Sequence, residues 1–203
     1  MESMTYKEMS SAIAIVLTFV AFVPYIYAIV NGSTRPHVFS WVIWGVTTFV
    51  VFLAQLEGKG GVGAWPIGVS AFVTLFIAFL AYLKRADITI PKTDWLFFAV
   101  ALSSLPLWYL TSNPLWAVVV LTIVDVLGFG PTLRKTYHLP YSESVLFYAL
   151  IGVRNSLVLI ALETYSMTTI LFPAVITAAC MSVITMILYR RRVLRVCSPN
   201  DSV

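Results

Sequence analysis

Seven long apolar runs, separated by short polar segments, account for most of this 203-residue chain. A helix that crosses about 30 Å of hydrocarbon needs roughly 20 apolar residues, and each run approaches or meets that length. The runs cover residues 12–30, 38–56, 65–83, 95–110, 115–133, 145–162 and 167–189. Glycine, proline and asparagine punctuate the connections, which are short enough to make each helix antiparallel to the one before it. The pattern predicts an all-α integral membrane protein with seven transmembrane helices.

The overall composition excludes a soluble globular protein. Hydrophobic residues make up 60% of the chain and charged residues 11%, and the mean hydropathy is +0.90. A soluble core of this size cannot bury so much apolar surface, so lipid must act as the solvent. The first apolar run has no AxA-like cleavage site, and we expect it to be a retained helix rather than a signal peptide.

The distribution of basic residues predicts the orientation of the helices. Lys and Arg close to helix ends are retained on the cytoplasmic side of a membrane. If the N-terminus lies outside, ten of the thirteen basic residues fall on inner segments, Lys7 and Lys59 fall on outer ones, and Arg154 lies within a helix. The prediction is an external N-terminus and a cytoplasmic C-terminus (N-out/C-in). Because the basic residues mark helix ends and are not interleaved with aromatic residues in patches, no nucleic acid is expected as a partner.

A constant offset of 107 residues relates the first three predicted helices to the last three. It aligns Pro24 with Pro131, Gly45 with Gly152 and Pro66 with Pro173. The fourth helix has no counterpart. Because a three-helix unit ends on the side opposite to its start, this extra helix gives the second unit the same orientation as the first. The sequence therefore predicts two parallel three-helix-bundle repeats joined by a linker helix.

This duplication divides the chain into five segments. They are an external N-terminus (1–11), a first three-helix repeat (12–85), a linker helix (93–110), a second three-helix repeat (114–192) and a cytoplasmic tail (193–203). Parallel repeats are a recurring transporter design in which the substrate lies between the halves near the midplane. Pro24 and Pro131 occupy equivalent inner positions, where each removes one backbone hydrogen bond and permits a kink. We interpret them as a gate or hinge, with ordinary helix packing as the alternative.

A known superfamily shares these features. Residues 23–34 and 130–144 each place a helix proline, Pro24 or Pro131, ahead of an inner loop. Together with the 3+1+3 helix order and the external N-terminus, these segments resemble the PQ-loop/SWEET-like transporter superfamily. The resemblance implies a membrane transporter that moves a small polar organic solute by alternating access through a midplane pocket. The superfamily includes carriers of sugars, amino acids and vitamin precursors and receptors that sort cargo, so a seven-helix receptor, sorting protein or partner-dependent membrane subunit is the alternative.

Two charged residues lie deep within the predicted spans. Asp125 on the fifth helix and Arg154 on the sixth are placed at matching depths. A charge at the bilayer centre costs at least about 2.5 kcal/mol, and it usually faces a partner or a watery cavity. We therefore expect the two to pair, either as part of a substrate site or as a buried pair that only fixes helix packing. Their counterparts in the first repeat are Thr18 and Thr47, so the charge lies in the second half alone.

Further polar and aromatic residues are expected to complete a pocket at this depth. Asn155 aligns with Thr48, which gives one small polar group from each half. Trp41, Trp44 and Thr48 follow helical spacing, and Tyr148 repeats part of this stripe on the sixth helix. Aromatic walls with a few polar groups suit a small organic ligand, although such a stripe also occurs in ordinary packing. The predicted substrate-binding residues are Trp41, Trp44, Thr47, Thr48, Asp125, Tyr148, Arg154 and Asn155.

The sequence does not favour an enzyme. It has no HExxH motif, no paired metal-binding acids, and no Ser or Cys with a His at the same depth. Cys180 and Cys197 lack metal-binding or disulfide spacing, so no metal site or cofactor is expected. Span 167–189 has no lysine, which excludes a retinal photoreceptor. The expected partners are a small-molecule substrate and the lipid bilayer, with a homo-oligomer left open, and the short loops favour a multi-pass protein of the bacterial inner membrane.

Overall fold

The structure is a computed structural model that describes residues 5–33, 38–84, 92–141 and 143–197. Within these ranges the chain forms helices and no strands. They are α1 (Tyr6–Val30), α2 (Val38–Glu57), a short 3-10 turn (Gly61–Ala64), α3 (Trp65–Leu83), α4 (Lys92–Thr111), α5 (Pro114–His138), α6 (Val145–Ala161) and α7 (Met167–Cys197). The predicted all-α class is confirmed, and each apolar run corresponds to one helix.

The helices have the length and surface of a multi-pass membrane protein. In the described part of the chain, four segments are long and apolar enough to cross a membrane: Tyr6–Val30, Val38–Glu57, Gly61–Leu83 and Met167–Leu194. Three shorter apolar segments accompany them: Phe98–Thr111, Pro114–Gly130 and Val145–Ala161. Large apolar side chains such as Val16, Phe72 and Phe79 are more than half exposed on the outer faces of the bundle. A surface of this kind is typical of helices in contact with lipid.

Several helices extend beyond the apolar runs that predict them. Helix α1 begins at Tyr6 because a capping box precedes it. The Thr5 backbone N–H donates to Glu8 Oε2 at 2.7 Å, and the Glu8 N–H donates to Thr5 Oγ1 at 3.3 Å. Helix α7 likewise continues past its apolar run to Cys197. A polar first or last turn can stay helical in the interfacial region, where water and headgroups solvate its side chains, so hydropathy alone underestimates helix length.

The helices pack as two triplets, α1–α3 and α5–α7. In each triplet the last helix packs against both of the others, so α3 contacts α1 and α2, while α7 contacts α5 and α6. Between the triplets, α1 packs on α6 and α2 packs on α5, and α4 packs on α5 and α2. If α1, α2 and α3 are exchanged with α5, α6 and α7, the six contacts that do not involve α4 map onto one another. A cluster of buried apolar side chains, including Val51, Ile67, Val118 and Val158, crosses the junction between them.

Candidate functional site

A cavity of about 210 Å³ lies between the two triplets and is lined by six of the seven helices. Its central residues, among them Thr48, Asp125 and Arg154, lie near the midpoints of α2, α5 and α6. Seven of the eight predicted substrate-binding residues line it: Trp41, Trp44, Thr48, Asp125, Tyr148, Arg154 and Asn155. The eighth, Thr47, is fully buried and reaches the cavity through a hydrogen bond to Asp125. The structure thus brings all eight residues together.

Arg154 fastens the second triplet to the first. Its side chain is 4% exposed, and its Nε–H donates to Thr18 Oγ1 on α1 at 3.0 Å. One terminal nitrogen donates to the Pro66 carbonyl oxygen of α3 at 2.6 Å, and the other donates to Asn155 Oδ1 at 3.3 Å. The guanidinium is therefore held by neutral acceptors. Such acceptors satisfy its N–H groups without neutralising its charge.

Asp125 is held much more weakly. It accepts one hydrogen bond within the described part of the chain, from Thr47 Oγ1 at 3.4 Å. The Thr47 hydroxyl has a single hydrogen and also contacts the Trp44 carbonyl oxygen at 3.0 Å, so the bond to the carboxylate is shared. An ionised carboxylate can accept about four hydrogen bonds, so most of this capacity is available to a cavity occupant.

The predicted direct pairing of Asp125 with Arg154 is wrong. The two residues line the same cavity, yet each takes its hydrogen-bond partners as described above, and no ion pair within the described residues joins them. Matching depth along two helices predicts only the position of each side chain along the membrane normal. It does not predict which helix the side chain faces. Here α7 packs against both α5 and α6, and each charge takes a hydrogen-bond partner from the first triplet, while both line the cavity. The charges therefore face a shared space.

The polar contacts of the two charges are related by the 107-residue offset. This offset carries Thr18 to Asp125 and Thr47 to Arg154. Applying the offset therefore converts the positions of the Thr18–Arg154 contact into those of the Thr47–Asp125 contact. Equivalent positions thus meet twice, once on each side of the junction. In one of them an arginine donates to a threonine, and in the other a threonine donates to a carboxylate. A symmetric framework thus carries an asymmetric charge distribution.

Aromatic rings line the cavity towards the first turns of α2 and α6. Trp41 and Trp44 meet edge to face with ring centroids 5.6 Å apart. Phe22 of α1 and Phe147 of α6 meet edge to face at 6.2 Å, which joins the triplets at this end. Tyr25 stacks on the outer side of Trp41 at 5.0 Å. Rings of this end therefore form part of the cavity wall, with side chains that can change rotamer.

At the other ends of α2 and α6 the triplets meet through backbone contact, in a region that we call the loop seam, formed by residues 60–63 and 162–163. The Glu163 N–H donates to the Gly60 carbonyl oxygen at 3.1 Å, and the Val62 N–H donates to Glu163 Oε1 at 3.2 Å. A Cβ atom on Gly63 would lie 2.7 Å from the Leu162 backbone nitrogen, so only glycine permits this approach. Nearby, Gln55 Nε2 donates to the Thr169 carbonyl oxygen at 2.9 Å.

Sequence reasoning missed several lining residues and the whole seam. Phe22 and Phe129 both line the cavity, and the repeat offset that pairs them was a usable signal. Ser70 and Thr74 of α3 also line it, but small hydroxyl residues are common in apolar helices and gave no signal. The seam brings together segments about one hundred residues apart, and only its glycine-rich stretch was visible as a connection.

The structure describes one of the two predicted hinge prolines in full. Helix α1 continues through Pro24 without interruption. Pro131 lies within α5, but its side chain is not among those that the structure describes.

No protein-family profile, characterised protein or solved structure matches the chain. The cavity between the triplets and the loop seam at one end of it are the features from which function is inferred.

Proposed function

We propose that the protein is a seven-helix carrier that moves a small polar organic solute across a cell membrane by alternating access. The observation that carries the proposal is the cavity between the triplets at mid-depth, with Asp125 and Arg154 on its wall. In this proposal the three shorter apolar helices also span the membrane, α4 links two parallel three-helix repeats, and the orientation is N-out/C-in. The resemblance to the PQ-loop/SWEET-like superfamily and a location in a bacterial inner membrane belong to the same proposal, and a homo-oligomer stays open.

The two ends of the cavity differ in a way that suits a carrier. At the end that this orientation places outside, the triplets are joined by the backbone hydrogen bonds of the loop seam. Towards the cytoplasmic end, the cavity is lined by aromatic side chains, including the edge-to-face pair of Phe22 and Phe147. Rocking of one triplet against the other would open one end while closing the other around a fixed central site. The exchange symmetry of the packing gives both halves equivalent contacts for such a movement.

The cavity also has the size and polarity of a site for a small solute. Its volume of about 210 Å³ is below the roughly 300–1,000 Å³ of pockets that hold drug-sized ligands. Intramembrane charges are expensive, and they commonly mark substrate or ion pathways. A solute that replaces water on Asp125 and Arg154 would offset part of this cost. Packing alone requires neither charge, because their counterparts in the first triplet are threonines.

The proposal is tested with purified protein in lipid nanodiscs and in proteoliposomes. Thermal unfolding is measured with sugars, amino acids, vitamins, amines and organic acids, because a ligand that binds the folded state alone raises its stability by mass action. We expect one chemical class to raise the melting temperature and to be taken up by proteoliposomes. Binding without uptake would replace the carrier with a receptor or sorting protein. The absence of binding by every compound would overturn the proposed solute site.

The orientation gives a prediction of its own. In a Cys197→Ser background, a cysteine at Thr164 is expected to react with a membrane-impermeant thiol reagent applied to intact cells. A cysteine at His138 is expected to react only after the membrane is opened. Both positions are exposed, and they lie at opposite ends of the bundle, while Cys180 is buried. The reverse labelling pattern would show that the N-terminus lies inside.

The hinge interpretation of Pro24 predicts a separation of binding from movement. Pro24→Ala supplies a backbone N–H that can bond to the Val20 carbonyl and stiffen α1. We expect slower uptake with unchanged ligand-induced stabilisation. Pro106→Ala is the matched control, because Pro106 lies inside α4, away from the cavity. Equal uptake by the two variants would remove the hinge role of Pro24.

A further inference from the structure

The cavity is lined by two residues of opposite charge that form no ion pair with each other. Among the residues that the structure describes, Asp125 has one shared hydrogen bond at 3.4 Å, and Arg154 has three hydrogen bonds to neutral acceptors. A guanidinium has five N–H groups, so Arg154 retains donor capacity. Asp125 retains most of its acceptor capacity. Both residues line the same cavity, so a single ligand can accept hydrogen bonds from Arg154 and donate them to Asp125.

The charge of the best ligand follows from which of the two cavity charges each class of ligand would leave without a partner. A cation would neutralise Asp125 and leave Arg154 as an uncompensated charge in the cavity, and an anion would do the reverse. A neutral sugar would leave both charges uncompensated. A molecule with an ammonium group and a carboxylate can neutralise both charges at once, and charge-assisted hydrogen bonds are about twice as strong as neutral ones.

The surroundings of Asp125 also favour an ammonium group. Trp44 lines the cavity beside it, and the Trp44 Nε1 atom would lie 3.6 Å from a Cβ placed on Gly128, one helical turn after Asp125. Phe129 lines the same wall. A cation within about 6 Å of an aromatic ring centroid is attracted by the negative face of the ring, most strongly by tryptophan. The carboxylate is thus the group that attracts positive charge here, with aromatic rings lining the cavity around it.

On the basis of the proposed carrier function, we propose that the cavity binds a small zwitterion of the amino-acid or betaine class. The ammonium group lies against Asp125 and Trp44, and the carboxylate accepts N–H bonds from Arg154. The carboxylate lies on the side where Arg154 meets Asn155 and the first triplet. Because both charges belong to the second triplet and their counterparts are threonines, the ligand has one preferred orientation in an otherwise symmetric framework.

The test compares matched ligands on the full chain in nanodiscs at neutral pH. Amino acids of increasing size and glycine betaine are screened by thermal unfolding, with glucose as the neutral probe. The amino acid with the largest shift is then compared with its decarboxylated amine and its deaminated acid. We expect each truncated analogue to bind at least about tenfold more weakly than the amino acid, because each leaves one buried charge unpaired.

Variants assign each charged group of the ligand to its residue. Asp125→Asn is expected to weaken binding of the amino acid and of the amine, and to strengthen binding of the acid, because no unpaired carboxylate then remains beside it. Arg154→Lys is expected to weaken binding of the amino acid and of the acid more than binding of the amine. A purely structural role for Asp125 would change all three affinities together. If Asp125→Asn fails to fold, Asp125→Glu serves instead, and it is expected to shift the preference of the site towards smaller amino acids.

The outcomes separate this inference from the proposal on which it rests. Binding of glucose, of an amine or of an acid as tightly as the matched amino acid would overturn the zwitterion site and leave a solute carrier in place. Unaltered amino-acid affinity in Asp125→Asn would also overturn it. If no compound of any class stabilises the protein, the proposed carrier function itself fails.

Discussion

Replacing Arg154 with leucine is expected to abolish uptake and ligand-induced stabilisation while leaving the folded protein almost as stable as before. Breaking a buried ion pair typically costs roughly 3–5 kcal/mol because the remaining charge is left uncompensated. Within the described ranges, Arg154 has no carboxylate partner, and its three acceptors are neutral. Removing it therefore leaves no orphaned charge behind. The lost hydrogen bonds are offset by the removal of a guanidinium that is expensive to bury in the membrane.

Two of the three residues that Arg154 contacts are also held by hydrogen bonds of their own. The Thr18 hydroxyl donates to the Ala14 carbonyl oxygen at 2.9 Å, and Asn155 Nδ2 donates to the Ile151 carbonyl oxygen at 2.8 Å. We therefore expect the unfolding free energy to change by no more than about 1–2 kcal/mol, within the range for ordinary point mutations. Thermal unfolding with and without ligand, followed by proteoliposome uptake, measures both effects on one preparation.

Arg192→Leu is the matched control for this substitution. Arg192 is exposed near the end of α7, so the same chemical change there removes no cavity group. We expect its uptake to equal that of the unmodified protein. Normal uptake by Arg154→Leu would remove Arg154 from the solute site. A large loss of stability with retained ligand binding would instead identify Arg154 as a residue that only holds the triplets together.

The helices and the depth of the site were predictable from sequence for a definite physical reason. Burial in lipid requires apolar runs of a set length, and that requirement is local in sequence, so the seven runs located the seven helices. A charge within such a run is costly wherever the helix packs, so Asp125 and Arg154 stood out without any knowledge of the fold. Local rules of this kind fix the height of a residue in the membrane.

The arrangement around the membrane normal is not a local property. The direct pairing of Asp125 with Arg154 failed because helix order in the bundle decides which faces meet, and α7 packs against both α5 and α6. The repeat offset contained a better guide. It aligns Thr18 with Asp125 and Thr47 with Arg154, and the two observed contacts connect these positions across the junction. Given that α1 packs on α6, the offset predicts the second contact, between α2 and α5.

The loop seam could not be predicted for a related reason. The glycine-rich stretch before α3 indicates a turn, and its local sequence does not show which segment it approaches. Glu163 is exposed and lies in a short connection, a context in which an acidic residue usually has no special contact. The seam is formed by two connections from different triplets, so its existence depends on how the triplets meet.

Gly63→Ala is expected to destabilise the protein by about 1–3 kcal/mol, the usual range for adding a methyl group where no space exists. Its Cβ would lie 2.7 Å from the Leu162 nitrogen and 2.9 Å from the Ala161 carbonyl carbon, which are backbone atoms and cannot move aside as a side chain can. Relief requires the two triplets to separate at the loop seam. In a carrier, this separation favours the state that is open at the seam end.

Thermal unfolding measures the loss of stability, and the labelling of a Thr48→Cys probe by an external thiol reagent measures the opening of the cavity. Gly152→Ala is the matched control, because a Cβ there would meet the Cys180 Cβ at 3.6 Å, an ordinary van der Waals distance. Alanine in a helix is more favourable than glycine by roughly 0.5–1 kcal/mol, so this control should be neutral or slightly more stable. We expect Gly63→Ala alone to unfold at a lower temperature and to label faster from outside. Equal behaviour of the two variants would show that the loop seam does not hold the outer end of the cavity closed.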